Sequence, residues 1–274
     1  MQLTKHHGLG NDFLVALVDT VPSDGADLAR SWCHRTHGIG ADGLIFGTNV
    51  PGQADGPIDV TFTLFNSDGS QAEISGNGMR CFAHAIARHL SKDTLTLTAD
   101  TAAGRRRVEV SLDRSGVSAV ASVEMGVMAP LALTKERVGQ LDKTFADLSV
   151  LRWDTGDMGN PHIVLEVADP LAVDLATVGP MIEAEFGGIN VHFVAPRPDG
   201  IEMRVWERGA GITEACGSGA CAVGAIGVGW GIGANPVTVH MPGGKAEIAI
   251  AESGITLTGP SAFIASIDTE AHRG

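Results

Sequence analysis

Residues 66–78 read NSDGSQAEISGNG, and residues 207–219 read ERGAGITEACGSG. Each stretch follows a segment of alternating apolar residues and precedes an apolar run, an order that is typical of a strand, a glycine-rich turn and a helix. Their alignment superposes three pairs of residues, Ser75 on Cys216, Gly76 on Gly217 and Gly78 on Gly219. The two stretches therefore predict one strand–turn–helix unit that occurs twice in the chain.

Three further pairs of segments recur in the same order, offset by about 140–150 residues. The pairs are 10–15 with 159–164, 40–42 with 188–190, and 60–64 with 201–205. Four matches in one order indicate two homologous halves. We predict an N-terminal lobe of residues 1–125 and a C-terminal lobe of residues 126–274, and the last residues, about 263–274, could return to the first lobe.

Each half is rich in predicted strands and contains one principal helix. Alternating apolar residues predict strands near 13–18, 43–47, 59–65, 94–98, 107–112, 162–167, 190–195, 201–206, 236–241 and 246–251. A helix with one apolar face follows from the spacing of Met79, Phe82, Ala83, Ile86 and Leu90. The helix from Ala220 is apolar on every face and must be buried all round. We therefore predict an α+β fold of two pseudo-symmetric lobes, each a β-barrel-like sheet wrapped around a central helix, with the functional site in the cleft between them.

Composition excludes several classes of protein. The 274 residues carry a formal net charge of −13 with no large basic cluster, which argues against binding to nucleic acid. No apolar run reaches the roughly 18 residues of a membrane helix, so we expect no membrane association and a cytoplasmic protein. The cysteines are too few for a disulfide scaffold and read as thiols in a reducing compartment. We expect three of them to be packing residues: Cys33, Cys81 and Cys221.

The repeated glycine-rich turn suggests a chemical role. Backbone N–H groups at the start of a helix form an anion site that suits a carboxylate. The same positive end lowers the pKa of a thiol, so Cys216 is expected to act as a base near neutral pH. Inverting a stereocentre needs one group to remove a proton from one face and another group to supply a proton to the opposite face. Ser75 and Cys216, one from each half, are candidates for these two groups.

Four segments together resemble the diaminopimelate epimerase family, within a superfamily that includes proline racemases and hydroxyproline epimerases. They are KHHGLGNDF (5–13), NSDGSQAEISGNGMRC (66–81), MGNPH (158–162) and ERGAGITEACGSGACA (207–222). The resemblance implies two pseudo-symmetric lobes and interconversion of LL- and meso-diaminopimelate, a step in lysine and peptidoglycan precursor synthesis. It also implies a small amino-acid substrate, no metal and no pyridoxal phosphate, and a homodimer.

The resemblance also assigns roles to residues of this chain. Cys216 and the Ser75 position carry the acid/base groups, and His162 and Glu207 adjust their pKa values, with Glu207 also near the substrate. The reacting α-carbon lies near Gly76, Asn77, Gly217 and Ser218. The distal amino-acid end of the substrate lies near Asn11, Asn66, Asn160, Asn190 and Arg208. Arg208 can hold a carboxylate through two hydrogen bonds, and Asn amides can meet a carboxylate or an ammonium group.

Ser75 is the most informative departure, because the family has a cysteine there and a serine hydroxyl is a far weaker acid than a thiol. Three explanations are open: an engineered replacement, a natural Ser/Cys pair, or one-base chemistry such as α,β-elimination. Gly43 replaces a polar residue and Ile212 an acidic residue, which affects recognition of the distal end. The alternative functions are a racemase or one-base dehydratase for a proline-like amino acid, and a non-catalytic amino-acid-binding relative.

Overall fold

The chain has the predicted α+β fold in a computed structural model. The structure describes residues 1–269, apart from the side chains of residues 135–137, 143 and 147. It divides into two compact units. Unit 1 comprises Met1–Glu124 and the described residues from Thr258 onward, and unit 2 comprises Met125–Leu257. No helix of the described residues is long and apolar enough to cross a membrane.

Over residues 1–269, the elements that begin in unit 1 are eight strands and two helices. In chain order they are β1 (Gln2–Gly8), β2 (Asn11–Leu17), α1 (Gly25–Trp32), β3 (Gly43–Thr48), β4 (Ile58–Asn66), β5 (Gln71–Ala72), α2 (Gly76–His89), β6 (Thr94–Thr101), β7 (Gly104–Leu112) and β8 (Ser118–Gly126).

The elements that begin in unit 2 are eight strands, three helices and the 3-10 turn Pro170–Ala172. The others are α3 (Lys135–Asp147), β9 (Arg152–Asp157), β10 (Pro161–Glu166), α4 (Leu175–Glu185), β11 (Asn190–Arg197), β12 (Gly200–Glu207), β13 (Gly211–Thr213), α5 (Gly217–Gly229), β14 (Val237–Met241), β15 (Gly244–Ala251) and β16 (Gly254–Asp268), which continues into unit 1.

Unit 1 is a closed barrel of eight strands in the order β1-β2-β3-β4-β6-β7-β8-β16. The barrel closes where β1 pairs with β16, with Gln2 opposite Asp268. Strand pairs β2–β3 and β4–β6 are parallel. The barrel has no open edge among these eight strands, which protects their backbone hydrogen bonds.

Helix α2 lies against strands β1, β2, β3, β6 and β7 and is buried from Gly76 to Ala87. The helix has the predicted single apolar face, but its polar side is buried as well. Arg80 and His84, on the predicted polar side, are both fully buried. The barrel encloses the helix, so these polar side chains bond inside it: Arg80 to Asn77, and His84 to a backbone carbonyl oxygen and Ser261.

Unit 2 repeats the arrangement around α5. Its sheet runs β9-β10-β11-β12-β14-β15-β16, and its parallel pairs, β10–β11 and β12–β14, correspond to those of unit 1. Helix α5 packs against β9, β10, β11, β12, β14 and β15. Residues 220–224 are all buried, which confirms the prediction of a helix apolar on every side.

Strand pairing corrects one of the sequence matches. Phe13 and His162, which the repeat aligns, lie opposite Gly43 and Asn190 in their respective parallel pairs. The counterpart of Asn190 is therefore Gly43, whereas the sequence alignment had chosen Asp42. The connections before β3 and β11 are irregular, and only the register of the strands fixes the offset.

Each of the ten predicted strands and both principal helices are present. Within the described residues, six strands and three peripheral helices were not predicted: β1, β5, β8, β9, β13, β16, α1, α3 and α4. Helix α4 has Pro180 in its interior, and a proline within a helical pattern usually reads as a break. Helix α1 has only eight residues and lacks a side-chain cap at Asp24.

Candidate active site

The two central helices begin in the same way. Ser75 and Cys216 are the N-cap residues of α2 and α5, with extended backbones of φ −140°, ψ 121° and φ −123°, ψ 112°. The Gly78 N–H donates to Ser75 Oγ over 3.0 Å, and the Gly219 N–H donates to Cys216 Sγ over 3.3 Å. Each helix thus presents one proton-carrying side chain at its positive end.

The Cys216 thiol is buried beside a carboxylate. The residue is 3% exposed, and its Sγ lies 3.7 Å from Ser218 Oγ. Burial raises the pKa of Cys216 well above its ordinary value, and the charge of Glu207 and a hydrogen bond to it raise the pKa further. The predicted lowering of this pKa is wrong, because desolvation and the carboxylate outweigh the Gly219 N–H. Thr213 Oγ1 donates to Glu207 and helps to hold it.

The Ser75 hydroxyl has different surroundings. Ser75 is only partly buried, and the residue that aligns with Glu207 is Asn66, an exposed neutral amide. The Asn66 amide nitrogen donates to Ser70 Oγ over 3.0 Å. The carboxylate of the Cys216 turn therefore has no charged counterpart at the aligned position of the Ser75 turn.

The side chains behind the two turns also differ. A Cβ atom added to Gly78 would lie 3.2 Å from Ser75 Cβ and 3.4 Å from Ile45 Cδ1. A Cβ atom added to Gly219 would lie 2.3 Å from His192 Cε1 and 3.0 Å from Cys216 Sγ. The Cys216 turn is therefore packed closely against a histidine ring, and the Ser75 turn more loosely against an aliphatic side chain.

His192 belongs to a buried histidine pair. Its Nε2 lies 2.8 Å from His162 Nδ1, and His162 Nε2 lies 2.8 Å from Asn160 Oδ1. Burial lowers the pKa of His162 to about 3, and the positive charge of Arg208 contributes. Burial also lowers the pKa of His192, with a further contribution from His162. Both rings are therefore neutral at pH 7.

In unit 1 the Asn11 amide is fixed at both ends. Its Nδ2 donates to Asp42 Oδ2 over 2.6 Å, and its Oδ1 accepts from Asn77 Nδ2 over 3.2 Å. Arg80 Nη2 donates to Asn77 Oδ1 over 2.8 Å and orients that amide in turn. Because a carboxylate only accepts hydrogen bonds, Asp42 determines which way the Asn11 amide faces.

Ion pairs hold Asp42 in place. Arg35 Nη2 donates to Asp42 Oδ1 over 2.6 Å and to Asp12 Oδ1 over 2.8 Å, and Lys5 Nζ lies 3.0 Å from Asp12 Oδ2. Burial by itself raises the pKa of Asp12, but the hydrogen bonds from Arg35 and Lys5 bring it below its ordinary value. Asp12 therefore stays ionised and anchors the group that supports Asn11.

In unit 2 the Asn190 side chain joins two segments. Its Nδ2 donates to the Pro161 carbonyl oxygen over 2.9 Å, and its Oδ1 accepts the Arg208 N–H over 3.0 Å. The Arg208 backbone is thereby tied to the segment that carries Asn160, while the residue itself is exposed. Gly159, with φ +97°, makes the tight turn into this segment, as Gly10, with φ +88°, does before Asn11.

The structure groups the predicted residues within each unit. Unit 1 brings together Ser75, Gly76, Asn77 and Asn11. The Asn66 side chain instead donates a hydrogen bond to Ser70. Unit 2 contains two sets. The first lies at the start of α5 and the end of β12 and consists of Cys216, Gly217, Ser218 and Glu207. The second lies around His162 and consists of Asn160, His162, Asn190 and Arg208. The sequence missed five supporting residues: Lys5, Arg35, Asp42, His192 and Thr213. For His192 a signal existed, since strand alternation places it on the same face as Asn190.

Two departures from the family pattern have structural correlates. A Cβ on Gly43 would lie 2.9 Å from Leu64 Cδ1 and 3.0 Å from the Phe65 carbonyl oxygen, so a side chain there requires neighbours to move. Ile212 is 49% exposed on β13 and contributes no charge to its turn.

The fold is shared with epimerases and racemases. A predicted epimerase from Pseudomonas aeruginosa superposes with a TM-score of 0.74 at 16% identity over 97% of this chain and 98% of that one. A probable proline racemase from Agrobacterium radiobacter superposes with a TM-score of 0.68 at 16% identity over 97% and 92%. The architecture is therefore a two-unit α+β fold that these two proteins share.

Sequence comparison gives the family. The model of the diaminopimelate epimerase family matches residues 3–128 and 155–264. The diaminopimelate epimerase of a Picosynechococcus species is 40% identical over 284 residues, covering 96% of each chain. The chain belongs to the diaminopimelate epimerase family and is an isomerase.

Proposed function

We propose that the protein interconverts LL- and meso-diaminopimelate by moving a proton between the two faces of one α-carbon, without a metal or pyridoxal phosphate. One observation carries this proposal: α2 and α5 both begin at a proton-carrying N-cap side chain. Such duplication suits a reaction that removes a proton from one face and adds a proton to the other. The activity would serve lysine and peptidoglycan precursor synthesis in the cytoplasm.

The reacting carbon would be held by the helix N-termini. The third N–H of each helix, at Gly78 or Gly219, donates to the side-chain oxygen or sulfur of the N-cap residue. Earlier N–H groups of a helix have no intrahelical partner and suit a carboxylate. The α-carboxylate and α-ammonium would therefore lie near Gly76, Asn77, Gly217 and Ser218.

Cys216 would begin turnover as a thiol, because its pKa is raised in the free protein. When Cys216 acts as the acid, it gives its proton to the α-carbanion. The Gly219 N–H and the Ser218 O–H then stabilise the resulting thiolate. In the other direction the thiol first passes its proton to Glu207, and the thiolate then takes the α-proton. Glu207 thus sets the protonation state of Cys216.

The distal amino-acid end would be read by amides and one guanidinium. Asn11, Asn66, Asn160, Asn190 and Arg208 would supply these contacts. A proline-like substrate has no distal ammonium and carboxylate to use such a set, which favours a diamino-dicarboxylate. The set also disfavours a protein that merely binds small amino acids through their α-groups.

Ser75 would be the weaker of the two acid/base groups. We propose that it works in a Ser/Cys pair, relaying a proton or ordering a water at its face, whether the serine is natural or engineered. One-base α,β-elimination is less suited to this substrate, because diaminopimelate has no leaving group on its β-carbon.

The activity can be tested with the pure protein. LL-diaminopimelate is incubated in the absence of added metal or cofactor, and the meso form is measured by chiral chromatography. Formation of meso-diaminopimelate supports the proposal. The absence of both epimerisation and α-hydrogen exchange with solvent would contradict it.

The proposed homodimer is tested separately by light scattering. A mass of about twice 28.4 kDa is expected, and the mass of a monomer would contradict it.

A further inference from the structure

His192 is a buried polar residue that the proposed mechanism does not use. It lies on β11 with no exposed surface, next to the first turn of α5. Unit 1 has Ile45 at the corresponding position, counting from the paired Gly43 and Asn190. A histidine at a position where the homologous half has an aliphatic residue indicates a role that packing alone does not require.

The hydrogen-bond chain from His192 has a single consistent direction. Asn160 Oδ1 can only accept, so His162 Nε2 must carry the proton that it shares over 2.8 Å. A neutral imidazole carries one proton, so His162 Nδ1 is bare and accepts from His192 Nε2–H over 2.8 Å. His192 Nδ1 is then bare as well, and among the described residues it has no hydrogen-bond partner.

The reverse direction is unfavourable. It would place the second proton on His192 Nδ1, where a buried N–H donor would have no acceptor within the described part of the chain. An orphaned buried donor is rarer in proteins than an acceptor with an unused lone pair. It would also require the Asn160 amide to rotate so that its nitrogen faces His162.

The direction of the chain determines what Asn160 presents. With its carbonyl oxygen bound to His162, its NH2 group points away from the ring with two donors. Asn190 already uses its oxygen on the Arg208 N–H, and the guanidinium of Arg208 has only donors. This part of unit 2 therefore offers donors, which suit a carboxylate. Asn11 in unit 1 is held the opposite way, with its nitrogen on Asp42.

We propose that His192 is a positioning residue that acts through His162 to hold the Asn160 amide with its NH2 group toward the substrate, and so selects a carboxylate at the distal end. The assignment of that carboxylate rests on the proposed function. The direction of the hydrogen bonds from His192 through His162 to Asn160 rests on the geometry of these residues alone.

The first test measures the tautomers in the parent protein. Nitrogen-15 chemical shifts of the histidine rings, assigned with His162→Gln and His192→Gln, distinguish Nε2–H from Nδ1–H. We expect His162 and His192 both to carry the proton on Nε2 at pH 7. A proton on Nδ1 of either ring, or a charged ring, would overturn the proposal.

The second test measures selectivity. Dissociation constants are determined for diaminopimelate and for lysine, which lacks the distal carboxylate. His192→Phe removes the donor and keeps a ring, and we expect the preference for diaminopimelate to fall about tenfold, the value of one hydrogen bond to a charged group. His192→Gln places an amide N–H near the Nε2 position and should restore most of the preference.

A matched control is Ile45→Val, a change behind the Ser75 turn that should leave the preference unchanged. An unaltered preference in folded His192→Phe would contradict the proposal. If the parent protein binds no diaminopimelate, the proposed function fails, while the tautomer measurement still decides the role of His192.

Discussion

The turn that begins α2 and the turn that begins α5 follow the same backbone course in different surroundings. Ser75 is partly exposed, with Ile45 behind its turn and the neutral amide of Asn66 at the aligned position of β4. Cys216 is buried next to the Glu207 carboxylate, with a histidine pair behind its turn. A duplicated backbone can therefore position two proton-transfer groups while their neighbours give them unequal proton affinities.

The largest effect is expected from removing the thiol. Cys216→Ala should lower α-hydrogen exchange and epimerisation by about 10³-fold or more, because no comparable acid/base group remains at this turn. Steady-state kinetics and solvent-exchange rates measure the loss. Cys221→Ala, which removes a buried thiol from the same helix, is the matched control and should retain activity. Exchange near the parent rate in Cys216→Ala would remove the Cys216 turn from the mechanism.

Making the two turns alike should increase activity. Ser75→Cys replaces a hydroxyl with a much stronger acid at a helix N-terminus, so epimerisation should rise about 10²-fold. The measurement is kcat/KM with LL-diaminopimelate under reducing conditions. Ser118→Cys, at an exposed serine of β8 in unit 1 that is not an N-cap, is the control and should give no gain. An unchanged rate in Ser75→Cys would show that the hydroxyl is no handicap.

The packing behind the turns can be compared through their glycines. Gly219→Ala should cost about 1–3 kcal/mol of unfolding free energy, because its Cβ would overlap the buried His192 ring. Gly78→Ala meets its nearest atom at 3.2 Å and gains helix propensity, so it should remain within about 1 kcal/mol of the parent. Urea unfolding measures both variants, and equal losses would contradict the packing difference.

The smallest measured shift is expected in the pKa of the Cys216 thiol, which the neighbouring carboxylate raises. Glu207→Gln gives the Cys216 turn a neutral amide like that of Asn66, and should lower the pKa of the Cys216 thiol because a charge that raises it is removed. The thiolate should then form at lower pH than in the parent. Thiolate absorbance near 240 nm, taken as the difference from the matching Cys216→Ala protein, follows the titration. A pKa that stays the same or rises would show that Glu207 does not control the thiol.

The fold was largely predictable from the sequence, because its repeated signals are strong. Alternating residues identified ten strands, among them five of the eight barrel strands, but not β1, β8 or β16. The apolar run after Cys216 identified the central helix of unit 2. Helix α2 was harder, since Arg80 and His84 look like a solvent-facing side until the partners that satisfy them are known. Helix α4 was not predicted, because Pro180 lies within it and a proline usually indicates the end of a helix.

The sequence proposes candidate site residues but gives neither their electrostatics nor the residues that support them. The repeat and the family resemblance single out Cys216 and the Asn set as candidates, yet the pKa of Cys216 depends on burial and on Glu207, which strand pairing brings near. The direction of the Asn11 amide depends on Asp42, and that of Asn160 on His192 through His162. These supporting residues come from other elements, so their partners follow from strand register rather than from local sequence.

Solvent-deuterium exchange tests the inequality of the two turns most directly. The parent protein is incubated separately with LL- and meso-diaminopimelate in D₂O, and initial α-deuterium incorporation is measured by mass spectrometry. We predict that the stereoisomer whose α-proton faces Cys216 exchanges at least about tenfold faster than the other. Equal exchange from both stereoisomers, at a rate unchanged by Ser75→Cys, would contradict the account and assign the second proton transfer to another group.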